Sequence, residues 1–325
     1  ALLNASLLKF ADSVVTAFTD ALRQRGLKCR FFVSQNDGTL MDAEFVRQFP
    51  ALTFASGPTN SLRGACKLTG LNDAIVVDLG GTTADIGILQ GGFPRESNVV
   101  IDVGGVRTNF RMPDILSLGL GGGSLVTDEG RSIGPESVGH NLVTQGLAFG
   151  GSVMTATDLL VAAGKTTIGP NQSPVLLPTQ TIENGLRTIA SMLNQGIEKM
   201  MPSSDPMPVI LVGGGAILVA DKLEAASEMY CPEHSGVANA IGAAIAQIGG
   251  EVESLLCYQD IPREHAIKKI SDEAKLIAIN AGADPKTVRI ADIEETTISY
   301  MAEGSTRLRI KAVGDIPHQA KGFIA

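Results

Sequence analysis

The residues with the clearest chemical capacity lie in Ile75–Leu89, IVVDLGGTTADIGIL. A continuous apolar run ends in Asp78 and passes through Gly80-Gly81-Thr82-Thr83. It meets a second acid at Asp85, then resumes as an alternating strand through Ile86, Ile88 and Leu89. Two apolar runs joined by a Gly-rich turn read as a β-hairpin. A plain hairpin with solvated acids needs neither an acid at the end of a fully apolar strand nor two hydroxyls and a second acid beyond it. A phosphate-gripping hairpin uses all of these. Gly80 and Gly81 let backbone N–H groups approach phosphate oxygens, and Thr82 and Thr83 donate hydroxyls to the same oxygens. Asp78 and Asp85 are then the catalytic carboxylates, holding a divalent metal ion or a water.

A second junction of the same kind follows more than a hundred residues later. The apolar strand Pro208–Val212 runs into Gly213-Gly214-Gly215, with a helix expected from about Ile217. Glycine at the exit of a parallel strand allows close backbone approach to a ligand at the carboxyl edge of the sheet, where open α/β folds bind nucleotides. The spacing is not G-x-G-x-x-G and no ribose-binding acid follows at the required distance, so a dinucleotide is not the expected ligand. Gly121-Gly122-Gly123 admits two readings, a nucleotide loop or a tight backbone crossing. Asp158 is a weaker candidate, because the dipole of the helix expected over Thr155–Ala163 favours an acid in its first turns anyway.

The elements that must position these residues follow from periodicity and punctuation. A helix is expected over residues 4–25, with Leu7, Phe10, Val14, Val15, Phe18 and Leu22 at helical spacing and Gly26 as its stop. Then come a strand at Arg30–Ser34, a turn at Asn36–Gly38, a short helix at Asp42–Gln48 and a strand near Ala51–Ala55. A helix capped by Ser56 runs to about Lys67. Glycine is abundant from Gly91 to about Gly151, and a hairpin is expected there around Gly104-Gly105, from Val99–Val103 and Val106–Arg111. Residues 180–201 and Ser235–Ile248 read as helices. Gly236, Ala240, Gly242, Ala243 and Ala244 suit the second to dense packing or to a hinge. Pro262–Ala281 reads as a charged amphipathic helix, and Val288–Tyr300 and Thr306–Val313 as strands.

Composition sets outer bounds. The chain has 325 residues, enough for two domains, with 44% hydrophobic and 18% charged residues, which argues against disorder. A net charge of −8 makes nucleic acid an unexpected partner. No apolar run approaches the roughly 20 residues of a membrane span. Cys29, Cys66, Cys231 and Cys257 show no C-x-x-C spacing and read as reduced, buried thiols of a cytoplasmic protein. The four histidines show no metal-ligand spacing, so zinc is not expected.

An acid-ended strand, a GGTT hairpin, a later GGG after a strand and a small-residue helix form a kit that resembles the actin-like ATPase superfamily. Within it the chain is most similar to the A-type ATPase subunit of the hydantoinase/oxoprolinase family. Gln35-Asn36-Asp37-Gly38 with Leu40-Met41 resembles that family's Q-x-D-G-x-x-M segment, and Ser56-Gly57-Pro58 with Gly64-Ala65 its SGP helix. Asp78–Asp85 resembles its GGT-x-x-D signature. Leu118–Leu125 with Gly134-Pro135-Glu136-Ser137 is similar to its GGGS…GPES pair, Thr155–Asp158 to its T-x-TD start and Gly236–Ala244 to its N-AIGAA helix. The resemblance covers about residues 1–255 in ordered blocks. Two places depart from it. Leu116 stands where members often carry His, and VGHNLVTQGLAFGG replaces a PGPA-type turn after GPES.

The resemblance implies an α/β fold: an actin-like (ribonuclease H-like) lobe with a Gly-rich insertion and a small α+β C-terminal appendix. Residues 1–70 would then be a segment of a first lobe with a connecting helix. Residues 71–255 would be the second nucleotide-binding lobe, with its insertion at about 91–180, and residues 256–325 the small module. It further implies an ATP-dependent, Mg²⁺-using hydrolase that opens a small cyclic amide, a hydantoin or 5-oxoproline-like lactam, by phosphorylating the amide oxygen. Gly80, Gly81, Thr82 and Thr83 would hold the phosphates and Gly213, Gly214 and Gly215 would lie under adenosine. Asp78 and Asp85 would hold Mg²⁺. Other classes compatible with the same kit are a regulatory or assembly ATPase and a small-molecule kinase. Only one phosphate hairpin is present. The expectation is therefore a chain cut from something longer, inactive alone, whose first lobe is missing or supplied by a partner subunit, in an oligomer.

Overall fold

The computed structural model describes residues 2–97, 101–103, 106–108, 112–169, 172–298 and 305–317. Amphipathic spacing makes Leu2–Gln24 the first helix, α1, which buries Ala11 and Val15. Strands β1 (Phe32–Ser34) and β2 (Thr39–Asp42) pair antiparallel across the expected turn. Asp42 then caps α2 (Ala43–Gln48), its carboxylate accepting from the Phe45 N–H at 2.8 Å. The strand expected near Ala51–Ala55 is instead a short 3-10 turn, Pro50–Thr53. Pro50 opens it, with a fixed φ and no N–H to give a strand ladder.

Helix α3 (Ser56–Thr69) follows. Its cap position is Ala55, in the left-handed region at φ 57°, and Ser56 is already its first residue. The central hairpin is β3 (Ala74–Leu79) and β4 (Ala84–Gln90), antiparallel with Asp78 opposite Asp85. A two-residue strand β5 (Phe93–Pro94) adds to the far end of β4. Strands β6 (Ile101–Val103) and β7 (Val106–Thr108) form the expected small hairpin, whose Gly104-Gly105 turn lies outside the described residues. The Gly-rich region continues with β8 (Ile115–Leu118), paired to β4, and with the hairpin β9 (Ser124–Thr127) and β10 (Ser132–Ser137). After the short helices α4 (Leu142–Gln145) and α5 (Ala156–Ala162) comes α6 (Thr179–Met200). Strand β11 (Met207–Val212) lies parallel to β3, and β12 (Ala226–Tyr230) parallel to β11.

The resulting sheet runs β12-β11-β3-β4, with β5 and β8 on the outer side of β4. Strand alternation sends Ile75, Val77, Leu79, Ile86, Ile88, Val209 and Leu211 to one face, against Leu159 of α5 and Ile189, Leu193 and Ile197 of α6. The other face carries Val76, Leu89, Ile210 and Val212 against Leu62 and Ala65 of α3 and Ala238 of α7 (Ala238–Ile245). Burial on both faces is why β3 and β11 read as unbroken apolar runs. The helix expected from Ile217 is a single 3-10 turn, Ala216–Leu218. The chain must return along β11 to start β12 at Ala226. The seven residues between would span only about 10 Å as a helix, against roughly 20 Å of strand.

The remaining elements are β13 (Gln247–Cys257), α8 (Arg263–Asn280), β14 (Arg289–Thr297) and β15 (Ser305–Gly314). They build a second sheet of order β1-β2-β13-β15-β14, with Gln247 and Ile248 parallel to Thr39 and Leu40. Ala266, Ile270, Ala274 and Ala278 of α8 cover Ile248, Leu308, Ile310 and Ala312. Lys311 of β15 reaches Asp37 in the β1–β2 turn at 2.8 Å. Burial alone would raise the Asp37 carboxyl, but Lys311 and the Thr39 donors override it and hold it below the ordinary carboxylate range.

Two compact units result, one from residues 1–54 with 246–325 and one from residues 55–245. This corrects the boundaries drawn at 70/71 and 255/256, because the tail shares its sheet with residues 39–42. It also shortens the helix expected over Ser235–Ile248, since Ile248, Gly250, Val252 and Leu256 alternate toward α8 as a strand. The expectation of buried thiols fails: Cys29 and Cys231 lie in exposed connections beside β1 and β12, and Cys66 and Cys257 are only partly buried. Among the described residues no helix is long and apolar enough to cross a membrane.

Candidate functional site

The site residues all lie within residues 55–245. Their placement begins with register: Val212 pairs with Asp78, Asp78 with Asp85, and Asp85 with Ser117, so one row crosses β11, β3, β4 and β8. Directly opposite side chains stand about 4.5–5.5 Å apart at Cβ, which brings the two carboxylates side by side at the edge of the sheet. Burial pushes the Asp85 carboxyl above its ordinary value; the Ser117 hydroxyl, donating to Oδ1, pulls it back, and the Asp78 charge adds to the rise.

Beyond the pair the chain turns through Gly80–Thr83, closed by the Gly80 N–H donating to the Thr83 carbonyl at 2.9 Å. Gly81, Thr82 and Thr83 are exposed, and among the described residues no protein acceptor meets their N–H groups. The carbonyls of the turn are taken up from behind. Gly122 N–H donates to Gly80 O at 3.1 Å and Gly123 N–H to Gly81 O at 2.7 Å. A Cβ on Gly121 would stand 2.4 Å from Thr82 N. Gly121-Gly122-Gly123 is thus the tight backbone crossing of the two readings, and it laces the Gly-rich region onto the turn. Ser137, from the GPES segment, lies against the same place, its Oγ 3.5 Å from Gly81 O.

The GGG loop after β11 arrives from the other side. Gly215 N–H donates to Leu79 O at 2.7 Å, and Gly213, at φ 86°, leaves no room for a side chain: its Cβ would stand 2.4 Å from Asp78 Oδ1. Gly81 and Gly214, by contrast, face open space, with no atom within 4 Å of an added Cβ. All nine sequence-predicted residues, Asp78, Gly80, Gly81, Thr82, Thr83, Asp85, Gly213, Gly214 and Gly215, therefore come together at the carboxyl edge of one sheet. The arrangement offers exposed N–H groups, two hydroxyls and two carboxylates around open space, a donor set that suits phosphate with a hard cation.

Asp158 does not join them. Fully buried, it accepts from Ala148 N–H at 2.7 Å and from Thr155 N–H and Oγ1 at 2.8 Å, as the closing acid of a capping box on α5. Two residues at the edge escaped the sequence reading. Ser117 could have been found from alternation, since Leu116 and Leu118 go to the core and leave it on the acid face. His234 holds a left-handed backbone (φ 67°) just before Ser235, whose carbonyl accepts from Gly213 N–H; nothing in the sequence marks that conformation.

Comparison with known proteins shows the family and the fold. An uncharacterised protein of Methanocaldococcus jannaschii is 24% identical over 371 aligned residues, covering 99% of this chain and 53% of that protein. The caprolactamase subunit alpha of Pseudomonas jessenii is 32% identical over 144 residues, 42% of this chain and 20% of that protein. The crystal structure of an ATP-dependent caprolactamase from Pseudomonas jessenii superposes with a TM-score of 0.67 at 16% identity, over 99% of this chain and 59% of that one. The fold is thus a mixed α/β fold shared with that enzyme, and the chain spans about half the length of the relatives that it matches end to end. The family model for hydantoinase/oxoprolinase matches residues 1–202, more than half of the sequence and the stretch that holds the whole acid hairpin. The chain belongs to the hydantoinase/oxoprolinase family.

Proposed function

We propose that this chain carries one side of the nucleotide site of an ATP-dependent hydrolase that opens a cyclic amide, within an actin-like lobe. The observation that carries the reading is the Asp78–Asp85 pair beside the exposed Gly80–Thr83 turn, with Gly213–Gly215 docked on it. The likeness to a caprolactamase subunit supports a lactam-like substrate. Amide resonance makes direct hydrolysis slow. Attack of the amide oxygen on the γ-phosphorus expels ADP and leaves a carbon open to water; the water adds, the C–N bond breaks as the nitrogen takes a proton, and a second water releases phosphate from the acyl phosphate that remains. The protein's part is positioning and charge neutralisation. Gly81, Thr82 and Thr83 bind phosphate oxygens, and Gly213–Gly215 lie under the nucleoside.

Asp78 and Asp85 fit a magnesium ion. Among the described residues no group of three or more His, Cys, Asp or Glu gathers to cage a metal. A cation here takes two carboxylates at most and completes its shell with phosphate and water, which is the habit of Mg²⁺. The ion would neutralise phosphate charge. The second phosphate hairpin comes from a first lobe or a partner subunit, and the chain alone binds nucleotide weakly without turnover. The test is titration of the chain with a fluorescent ATP analogue and Mg²⁺, then lactam-dependent ATP consumption by the complete assembly. Weak binding that falls further in Asp85→Asn and Thr82→Val is expected. Binding indifferent to both, or brisk turnover by the chain alone, overturns the reading.

A further inference from the structure

The row of residues through the acid pair has a third polar member. Ser117 sits opposite Asp85 in the β4–β8 pairing and donates its hydroxyl to Asp85 Oδ1. Its neighbours Leu116 and Leu118 pack toward α6, so Ser117 stands on the acid face and is itself exposed. Packing therefore gives no reason for a hydroxyl at this position. On the other side of the row, Asp78 is confined by the backbone of Gly213, 2.4 Å from where a Cβ would be. Asp78 is thus fixed by a wall and Asp85 by one hydrogen bond. A carboxylate has two oxygens that exchange by rotation; pinning Oδ1 leaves Oδ2 as the oxygen that can face a ligand. The carboxylate also needs a donor, being half-buried beside a like charge.

Resting on the nucleotide reading above, we propose that Ser117 is a positioning residue: its hydroxyl orients Asp85 so that the free carboxylate oxygen meets the divalent cation that accompanies the nucleotide. The hydroxyl touches neither nucleotide nor metal and acts only through Asp85. Removing it frees the carboxylate to turn away, which weakens metal-dependent binding and leaves the backbone phosphate contacts of Gly81 and Thr82 as they were.

The experiment measures Mn²⁺ binding by electron paramagnetic resonance at fixed ATP, together with ATP binding in EDTA and thermal melting. Ser117→Ala is expected to raise the Mn²⁺ concentration for half-saturation about tenfold, the scale of one charge-assisted hydrogen bond, with a modest fall in melting temperature and no change in metal-free ATP binding. Ser117→Thr, which keeps the hydroxyl and suits a strand, is expected to restore the unmodified value. An unchanged Mn²⁺ dependence in Ser117→Ala overturns the proposal. So does an equal loss in Ser117→Thr, or a parallel loss of melting temperature and metal-free binding, which would mean a structural role. Absence of metal-dependent ATP binding in the unmodified chain overturns the nucleotide reading and this proposal with it. Normal binding there with an indifferent Ser117→Ala overturns the positioning role alone.

Discussion

Two carboxylates in register across adjacent strands, one of them with its pKa raised by burial, are a stability cost carried by the site. A carboxyl whose folded pKa lies above its unfolded value binds more protons in the native state, so stability falls as pH rises through that window and stays lowered at neutral pH. Asp85→Asn keeps an acceptor for Ser117 and removes the like charge beside Asp78. The ligand-free variant should therefore melt at a higher temperature than the unmodified chain at pH 7 and lose that advantage in acid. Scanning calorimetry at the two pH values measures it, and a lower melting temperature at pH 7 would contradict the repulsion. Asp78, Asp85 and the glycines were legible in sequence because their types have few other uses at the end of an apolar strand. Ser117 was not, because serine in a strand is unremarkable until pairing shows what it faces.

At the scale of elements, the α3–α7 contact depends on missing side chains. A Cβ at Gly64 would stand 1.9 Å from Ala238 O, and one at Gly242 would stand 1.8 Å from Asn60 O, so the two helices touch backbone to backbone. Asn239 ties the crossing further, its amide donating to Gly57 O at 2.8 Å. Gly64→Ala and Gly242→Ala should each destabilise residues 55–245, by at least the roughly 1–3 kcal/mol typical of overpacking. Gly236→Ala, with nothing within 4 Å, should be near neutral. Urea titrations compare the three, and equal midpoints would show that the helices separate freely. The small-residue helix itself was readable from composition. Its partner and its end at Ile245 were not, because the pattern shifts from helical to alternating spacing across Ala246–Ile248 with no proline or cap residue to mark it. Pro50 and the short return to β12 defeated the readings at Ala51–Ala55 and Ile217 for geometric reasons that a local pattern does not contain.

Across the whole molecule, the sheet of residues 1–54 and 246–325 is closed by contacts between its two segments, the Asp37–Lys311 pair among them. Asp37 binds fewer protons when folded, so its contribution is complete above the unfolded carboxyl value and fades as pH falls through the lower folded one. Asp37→Asn, which takes this carboxylate away from the buried Lys311, should cost about 1.5–3 kcal/mol near neutrality, the scale of a hydrogen bond between charged groups. It should also flatten the stability loss below about pH 4, measurable by acid titration of circular dichroism; an unaltered acid limb would exclude Asp37 as a source. Residues 55–245 form a continuous stretch and should unfold cooperatively as a purified fragment, whereas a fragment of 1–54 should not. No periodicity announced this division, since β2 and β13 join through two residue pairs only. The division has a consequence during synthesis. Strand β2 leaves the ribosome roughly two hundred residues before β13, a wait of about 10–40 s at ordinary elongation rates of about 5–20 residues per second. Through that interval the nascent chain carries β1–β2 with an open edge while residues 55–245 fold behind it. An unpaired edge of that kind is a template for aggregation. Soluble yield should therefore depend on chaperones that shelter the first 54 residues until translation has delivered their partners.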